Sequence, residues 1–190
     1  MPTQFIIVRH GDAAEAGVED PGLSGAGVRQ AEATARYLAD APGPSIAAVY
    51  TSPLLRARLS AEPVAELLGT PPIIEERVAE FDRARAYYSE HHTDQLAANE
   101  AMGLMEAMQG PAFRERVLAG FDAIESAHTD ATIVVVCHGG VISTMVSAAV
   151  YNESLIFLPA HGSITRIQSH GGGLRNLVSY NEASWLADLD

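Results

Sequence analysis

Two short apolar runs, each leading directly into a histidine and a glycine, constrain this chain more than any other feature. Phe5-Ile6-Ile7-Val8 precedes Arg9-His10-Gly11, and Thr132-Ile-Val-Val-Val-Cys137 precedes His138-Gly139-Gly140. Apolar runs without polar alternation mark strands covered on both faces, the situation of a parallel sheet between helical layers. Ile46 to Thr51 is a third strand of this kind and Ile73-Ile74 a shorter one. Near the end, Ser163 to Ser169 and Leu174 to Tyr180 flank Gly171-Gly172-Gly173, which predicts a hairpin of edge strands.

Helical patterns separate the strands. Ser24 is placed to cap a helix whose Val28, Ala31, Ala35 and Leu38 share one face. Ser52-Pro53 opens a second as cap and first residue, and Pro63 should kink or split it. Phe113 to Ala127 and the all-apolar Gly140 to Val150 supply two more. Alternation of strands and helices predicts an α/β chain, a three-layer α/β/α sandwich around a mainly parallel sheet. The whole of 1–190 reads as one domain, with a short cap-like insertion at about 81–110 that carries Arg83, Arg85, His91, His92 and a Met-rich helical pattern.

Composition narrows the function classes. Hydrophobic residues make up 47% of the chain, enough for a full core without cross-links. The one cysteine, Cys137, excludes an internal disulfide, and no apolar run is long enough to span a bilayer. Met-Pro-Thr-Gln leads straight into the first strand without a basic leader, so the expected address is the cytoplasm. A formal charge of −12 argues against nucleic-acid and membrane partners and leaves a homodimer open. Arginines converging on one cleft would still bind phosphate.

In an open α/β sheet, ligands sit beyond the carboxyl ends of the strands, where both His10 and His138 fall. Gly11 and Gly139 allow close backbone approach to a ligand, and His138 opens a helix whose N-terminal amides favour an anion. Arg9 adds a charge fork, and Arg56 lies early in the helix after Thr51-Ser52-Pro53. Two arginines and two histidines can thus face one tetrahedral anion, although Arg56 could instead pair with Glu62 or Glu66 on the helix surface. His91-His92 offers no clear set of metal ligands, since adjacent histidines point different ways.

These residues resemble the signatures of the histidine phosphatases, within the phosphoglycerate-mutase-like superfamily. Arg9-His10-Gly11 is similar to the family's first motif, and Leu23-Ser24-Gly25-Ala26-Gly27 with Gln30-Ala31 to its next. Thr51 to Ala57 is similar to the Ser-Pro-Leu-x-Arg-Ala element, and His138 to Ile142 to the second histidine motif. The resemblance implies a phosphatase that hydrolyses a phosphomonoester of a small molecule through phosphohistidine on His10. It further implies a phosphate clamp of Arg9 and Arg56, His138 as a further phosphate ligand, and no metal or cofactor. Glu75 to Glu80 resembles the stretch that ends in the family's catalytic glutamate, which makes Glu80 the general acid and base, with Asp12 as its rival. Gly11, Asp12, Ser24, Gly139, Arg83 and His161 are the residues expected around the substrate.

The chain also departs from the pattern. Many members follow the glutamate with Gly-x-Trp-Glu-Gly, where this chain has Phe81 to Tyr88, and many carry an asparagine where Ala16 stands. Arg-His-Gly-Asp resembles the small phosphohistidine protein phosphatases, an alternative activity. A mutase-like phosphotransferase is another, though mutases are usually longer; the noncatalytic alternative is a phosphate-sensing or phosphoprotein-binding domain.

Overall fold

The computed structural model describes residues 1–14, 20–41, 43–81, 110–187 and 189. Arg83, Arg85, His91, His92 and Ala16 lie outside the described residues, as does nearly all of the expected cap. The elements in chain order are β1 (Thr3–Arg9), α1 (Gly25–Asp40), β2 (Ile46–Thr51), α2 (Leu55–Leu68) and β3 (Ile73–Ile74). A 3-10 turn at Glu76–Val78 comes next, then α3 (Pro111–Ala127), β4 (Thr132–Cys137), α4 (Gly139–Ala149), β5 (Ile164–Ser169), β6 (Arg175–Glu182) and a last 3-10 turn at Ser184–Leu186.

The strands form one sheet in the order β3-β2-β4-β1-β5-β6. The first four run parallel, and β5 and β6 are antiparallel additions. Strand periodicity divides the continuous apolar runs between two layers. Phe5, Ile7, Ile133, Val135 and Cys137 pack under α3 and α4 with Phe121, Ile124 and Met145. Ile6, Val8, Val134 and Val136 pack under α1 and α2 with Ala35, Leu38, Ala61 and Val64. The expected three-layer sandwich is therefore the one observed.

Four local expectations need correction. Val28 is exposed, and the buried face of α1 is carried instead by Gly27, Ala31, Ala33, Thr34, Ala35 and Leu38. Helix α2 starts at Leu55 with Leu54 at its cap position, because the Ser52 hydroxyl is engaged elsewhere. Pro63 does not split α2, which runs through it to Leu68. The buried stripe of Ala57, Ala61, Val64 and Ala65 against the sheet outweighs one absent backbone bond. Finally, only β6 of the late pair is an edge strand, since β5 lies between β1 and β6. The glycine tip of their hairpin has φ of 81°, 61° and 82° at Gly171, Gly172 and Gly173, values that side-chain-bearing residues rarely adopt.

Candidate active site

Strand register decides which side chains meet. Arg9 pairs with Cys137, and Thr51 with Val136, so β1, β4 and β2 finish level with one another. The ladder continues one residue further, with the His10 amide donating to the Cys137 carbonyl (2.9 Å) and the Ser52 amide to the Val136 carbonyl (3.0 Å). His10, His138 and Ser52 are thereby set side by side. The antiparallel β5 starts at the same edge: the Arg9 amide donates to Ser163 O (3.1 Å) and the Gly162 amide to Arg9 O (3.1 Å). This brings the ring of His161 to 5.4 Å from that of His10, with His138 at 5.0 Å.

The protonation pattern of His10 follows from its partners. Its Nδ1 lies 2.6 Å from the carbonyl of Gly11, which can only accept, so Nδ1 carries the hydrogen and Nε2 keeps its lone pair. Arg56 Nε donates to that Nε2 at 3.3 Å. Arg56 is buried, so it is not a solvent-facing residue of the helix. Burial, then His138, Arg56, Arg9 and His161, hold the His10 pKa well below the usual imidazole value. The ring is neutral at physiological pH, as a nucleophile must be.

His138 is fully buried, and its Nε2 is 2.7 Å from Ser52 Oγ. That oxygen also accepts the Leu54 amide at 3.3 Å, and when its hydroxyl donates to Nε2 the ring hydrogen of His138 sits on Nδ1. Burial, followed by the charges of Arg56, Arg9 and Arg116, keeps this ring neutral as well. His138 Nδ1 is buried and has no hydrogen-bond partner among the described residues. A buried donor in that condition fits an incoming acceptor such as a phosphoryl oxygen. Ser52→Ala is expected to lower kcat/KM by about tenfold and to cost about 1–1.5 kcal/mol of stability, since His138 Nε2 is left buried without its partner. Steady-state kinetics beside a urea melt checks this; equal rates would mean that Ser52 does not orient the ring.

Arg9 is buried, and its Nη1 donates to the Pro159 carbonyl. The Glu80 carboxylate is 3% exposed and accepts the Gly140 amide at 3.0 Å and the Phe81 amide at 3.1 Å. Since Gly140 is in the first turn of α4, two residues beyond His138, this bond ties Glu80 to the N-terminal end of that helix. Asp12 is placed differently. It is partly exposed, accepts the Ser24 hydroxyl at 2.6 Å and lies 3.7 Å from His161 Nδ1.

A family model for the histidine phosphatase superfamily, branch 1, matches residues 5–183. The chain belongs to that superfamily. Solved structures share the fold of this histidine phosphatase at low identity. Phosphoserine phosphatase from Entamoeba histolytica, in complex with 3-phosphoglyceric acid, has a TM-score of 0.72 at 19% identity, covering 97% of this chain and 99% of its own. Bacillus stearothermophilus YhfR gives 0.73 at 21% identity, with the same coverage of 97% and 99%. A mycobacterial glucosyl-3-phosphoglycerate phosphatase gives 0.68 at 20% identity, covering 95% and 99%. Among curated proteins, none matches by sequence.

Gly11, the glycine after His10, packs tightly against the start of α1. A Cβ on Gly11 would lie 2.3 Å from Gly27 O, and one on Gly27 would lie 2.0 Å from Asp12 O. The two glycines let the His10 loop and the start of α1 meet backbone to backbone. Ser24 serves that junction: its hydroxyl accepts the Gly27 amide at 3.0 Å while donating to Asp12. Gln30 accepts the Asp12 amide at 2.8 Å, and Ser60 accepts the Gly11 amide at 3.0 Å. Neither the bond of Ser60 to the Gly11 amide nor that of Ser52 to His138 was expected, although Ser52 lies inside a recognisable motif.

His161 supplies a pH prediction. Burial first, and then Arg9, lower its pKa to about 4, against an opposing pull from Asp12. An imidazole whose folded pKa is depressed contributes stability that is complete above its unfolded value near 6.5 and is lost as pH falls from about 6.5 toward about 4, because only the unfolded chain binds the proton there. At pH 5 this one ring is expected to cost about 2 kcal/mol. His161→Gln should therefore lose less stability between pH 7.5 and pH 5 than the parent, measured by urea unfolding at both values. Equal losses would contradict a depressed pKa at this position.

Proposed function

We propose that this histidine phosphatase hydrolyses phosphomonoesters of small molecules by double displacement at His10. The observation that carries the reading is the tautomer of His10, whose Nδ1 is fixed on Gly11 O while Nε2 points its lone pair at the Arg56 guanidinium. A phosphoryl group drawn in by Arg56 and Arg9 would arrive at that nitrogen. Nε2 attacks phosphorus, the P–O bond to the leaving group breaks, and its electron pair stays on the leaving oxygen. Glu80, entering as the acid, gives that oxygen a proton. In the second half, Glu80 takes a proton from water, the water oxygen attacks phosphorus, and the P–N bond breaks to return neutral His10 and free phosphate. His138 Nδ1–H and the α4 amides hold the equatorial oxygens as charge moves across them.

Two arginines supply the positive charge that many phosphoryl-transfer enzymes draw from magnesium, so the scheme runs without a metal. Hydrolysis of 4-nitrophenyl phosphate in excess chelator tests this. Turnover unaffected by chelation is expected, and turnover abolished by it and restored by a divalent cation would overturn the metal-free scheme. The placement of Glu80, buried and bonded to α4, favours it over the partly exposed Asp12 as the acid.

A further inference from the structure

The loop that carries Glu80 is anchored on its N-terminal side by Glu75, whose carboxylate accepts the Arg77 amide at 3.1 Å. It follows a 3-10 turn of only three residues, Glu76–Val78, whose closing carbonyls lack the continuing turns that a longer helix would offer. Arg116 enters from α3, 36 positions further along the chain, and caps them. Its Nη1 donates to Arg77 O at 2.7 Å and its Nη2 to Ala79 O at 2.8 Å, with longer contacts of 3.5 Å to Glu76 O and Glu80 O. The guanidinium lies over the Phe113 ring at 5.0 Å, and that ring meets Phe81, the residue after Glu80, edge to face at 5.9 Å between centroids. One turn further along α3, a Cβ on Gly120 would approach Arg77 Cβ to 2.9 Å, so the helix lies tight against the turn.

We infer that Arg116 is a positioning residue for the general acid: it clamps the main chain from Glu76 to Glu80 while the Gly140 amide clamps the Glu80 carboxylate. The inference rests on the phosphatase reading above. The Arg116 fork anchors the backbone, and the Gly140 and Phe81 amides anchor the carboxylate, so both ends of the side chain are held. The planar fork is essential, because two carbonyls on alternate residues are reached at once by Nη1 and Nη2. Lysine would bring the charge but only a single compact donor head.

A purely structural arginine and a positioning arginine differ in how their loss depends on the leaving group. Phenyl phosphate needs a proton on its leaving oxygen, whereas 2,4-dinitrophenyl phosphate expels a stabilised anion and needs little help. The experiment measures kcat/KM, which reports the chain of steps through P–O cleavage, for both esters in the parent, Arg116→Ala, Arg116→Lys, Glu80→Ala and the Arg116→Ala/Glu80→Ala double variant, with urea midpoints for each. Arg116→Ala is expected to lose on the order of 10²-fold on phenyl phosphate, the scale of an ångström-sized misplacement of a reacting group, and far less on the dinitrophenyl ester. Arg116→Lys should recover only part of the phenyl phosphate loss, and Arg116→Ala should cost nothing further once Glu80 is gone. Equal losses on both esters, or the same loss with and without Glu80, would overturn the inference and leave Arg116 as packing. A Glu80→Ala variant that itself shows no leaving-group dependence would overturn the acid assignment first, and that result is distinguishable because it does not involve Arg116.

Discussion

Alanine in place of His10 is expected to lower kcat/KM for any phosphomonoester by at least about 10⁴-fold, the scale on which covalent nucleophiles act. The size of the effect follows from what remains. Arg9, Arg56 and His138 still surround the vacated position, so phosphate is still attracted and polarised, yet the Nε2 that faces Arg56 is gone. Binding and chemistry should therefore separate: inorganic phosphate should inhibit or bind the variant with an affinity close to that of the parent while turnover disappears. His10 is also neutral and almost fully buried, so its removal does not strand a charge, and the folded state should persist. Initial rates on 4-nitrophenyl phosphate together with phosphate titration would check both halves. A variant that keeps a substantial fraction of parental turnover would place the nucleophile elsewhere, and one that loses phosphate binding as well would mean that His10 is a ligand first.

Gly27→Ala is expected to damage both stability and activity, through the junction between the His10 loop and α1. The added Cβ would sit 2.0 Å from the Asp12 carbonyl oxygen and 2.9 Å from its nitrogen, backbone atoms that cannot rotate away as a side chain would. Over-packing a core usually costs about 1–3 kcal/mol where side chains can yield, so a backbone clash should cost about 3 kcal/mol or more. For a chain of this size that lowers Tm by about 6–12 °C. Any relief must move residues 11–13 away from α1, and His10 moves with them, so kcat should fall even well below the melting temperature. Gly25→Ala is the control, because a Cβ there meets only the far end of Arg29 at 3.9 Å. Thermal melts and rates of the two variants side by side decide the matter; a Gly27→Ala protein as stable and active as Gly25→Ala would refute the close-approach account of both motif glycines.

Much of this was legible in the sequence, for a physical reason. A parallel sheet demands continuous apolar strands, and these are easily seen at Phe5 to Val8 and Thr132 to Cys137. Ligand sites at the carboxyl ends of such strands then place His10, His138 and the residues after Thr51 together before any coordinate is known. His161 was placed by resemblance alone, and the antiparallel return of β5 to the same edge is what brings it there. What was illegible depends on packing between distant segments. Nothing near Arg116 signals that it reaches back to Arg77 and Ala79, and nothing near Ser60 signals that it receives the Gly11 amide. Ser52 was read as a helix cap because Ser-Pro commonly opens helices, yet the neighbouring strand end put His138 within reach and took its hydroxyl. Pro63 shows the converse error: local backbone preference predicted a break, and tertiary burial of Ala61 and Val64 kept the helix whole. Glu80 rested on resemblance to the family pattern alone; the structure shows it buried, with its carboxylate on the Gly140 amide.

The covalent step at His10 is the claim on which the rest depends, and the most direct measurement is to trap it. The enzyme is mixed with 2,4-dinitrophenyl phosphate, quenched in alkali within the first turnover, digested and analysed by mass spectrometry, with an acid-treated portion in parallel, because phosphate on an imidazole nitrogen survives base and is released by acid. The account predicts one phosphate on the peptide that contains His10, carried on Nε2, lost on acid treatment and missing from His10→Ala. Steady turnover with no trapped phosphate, or phosphate attached to a residue other than His10, would contradict it.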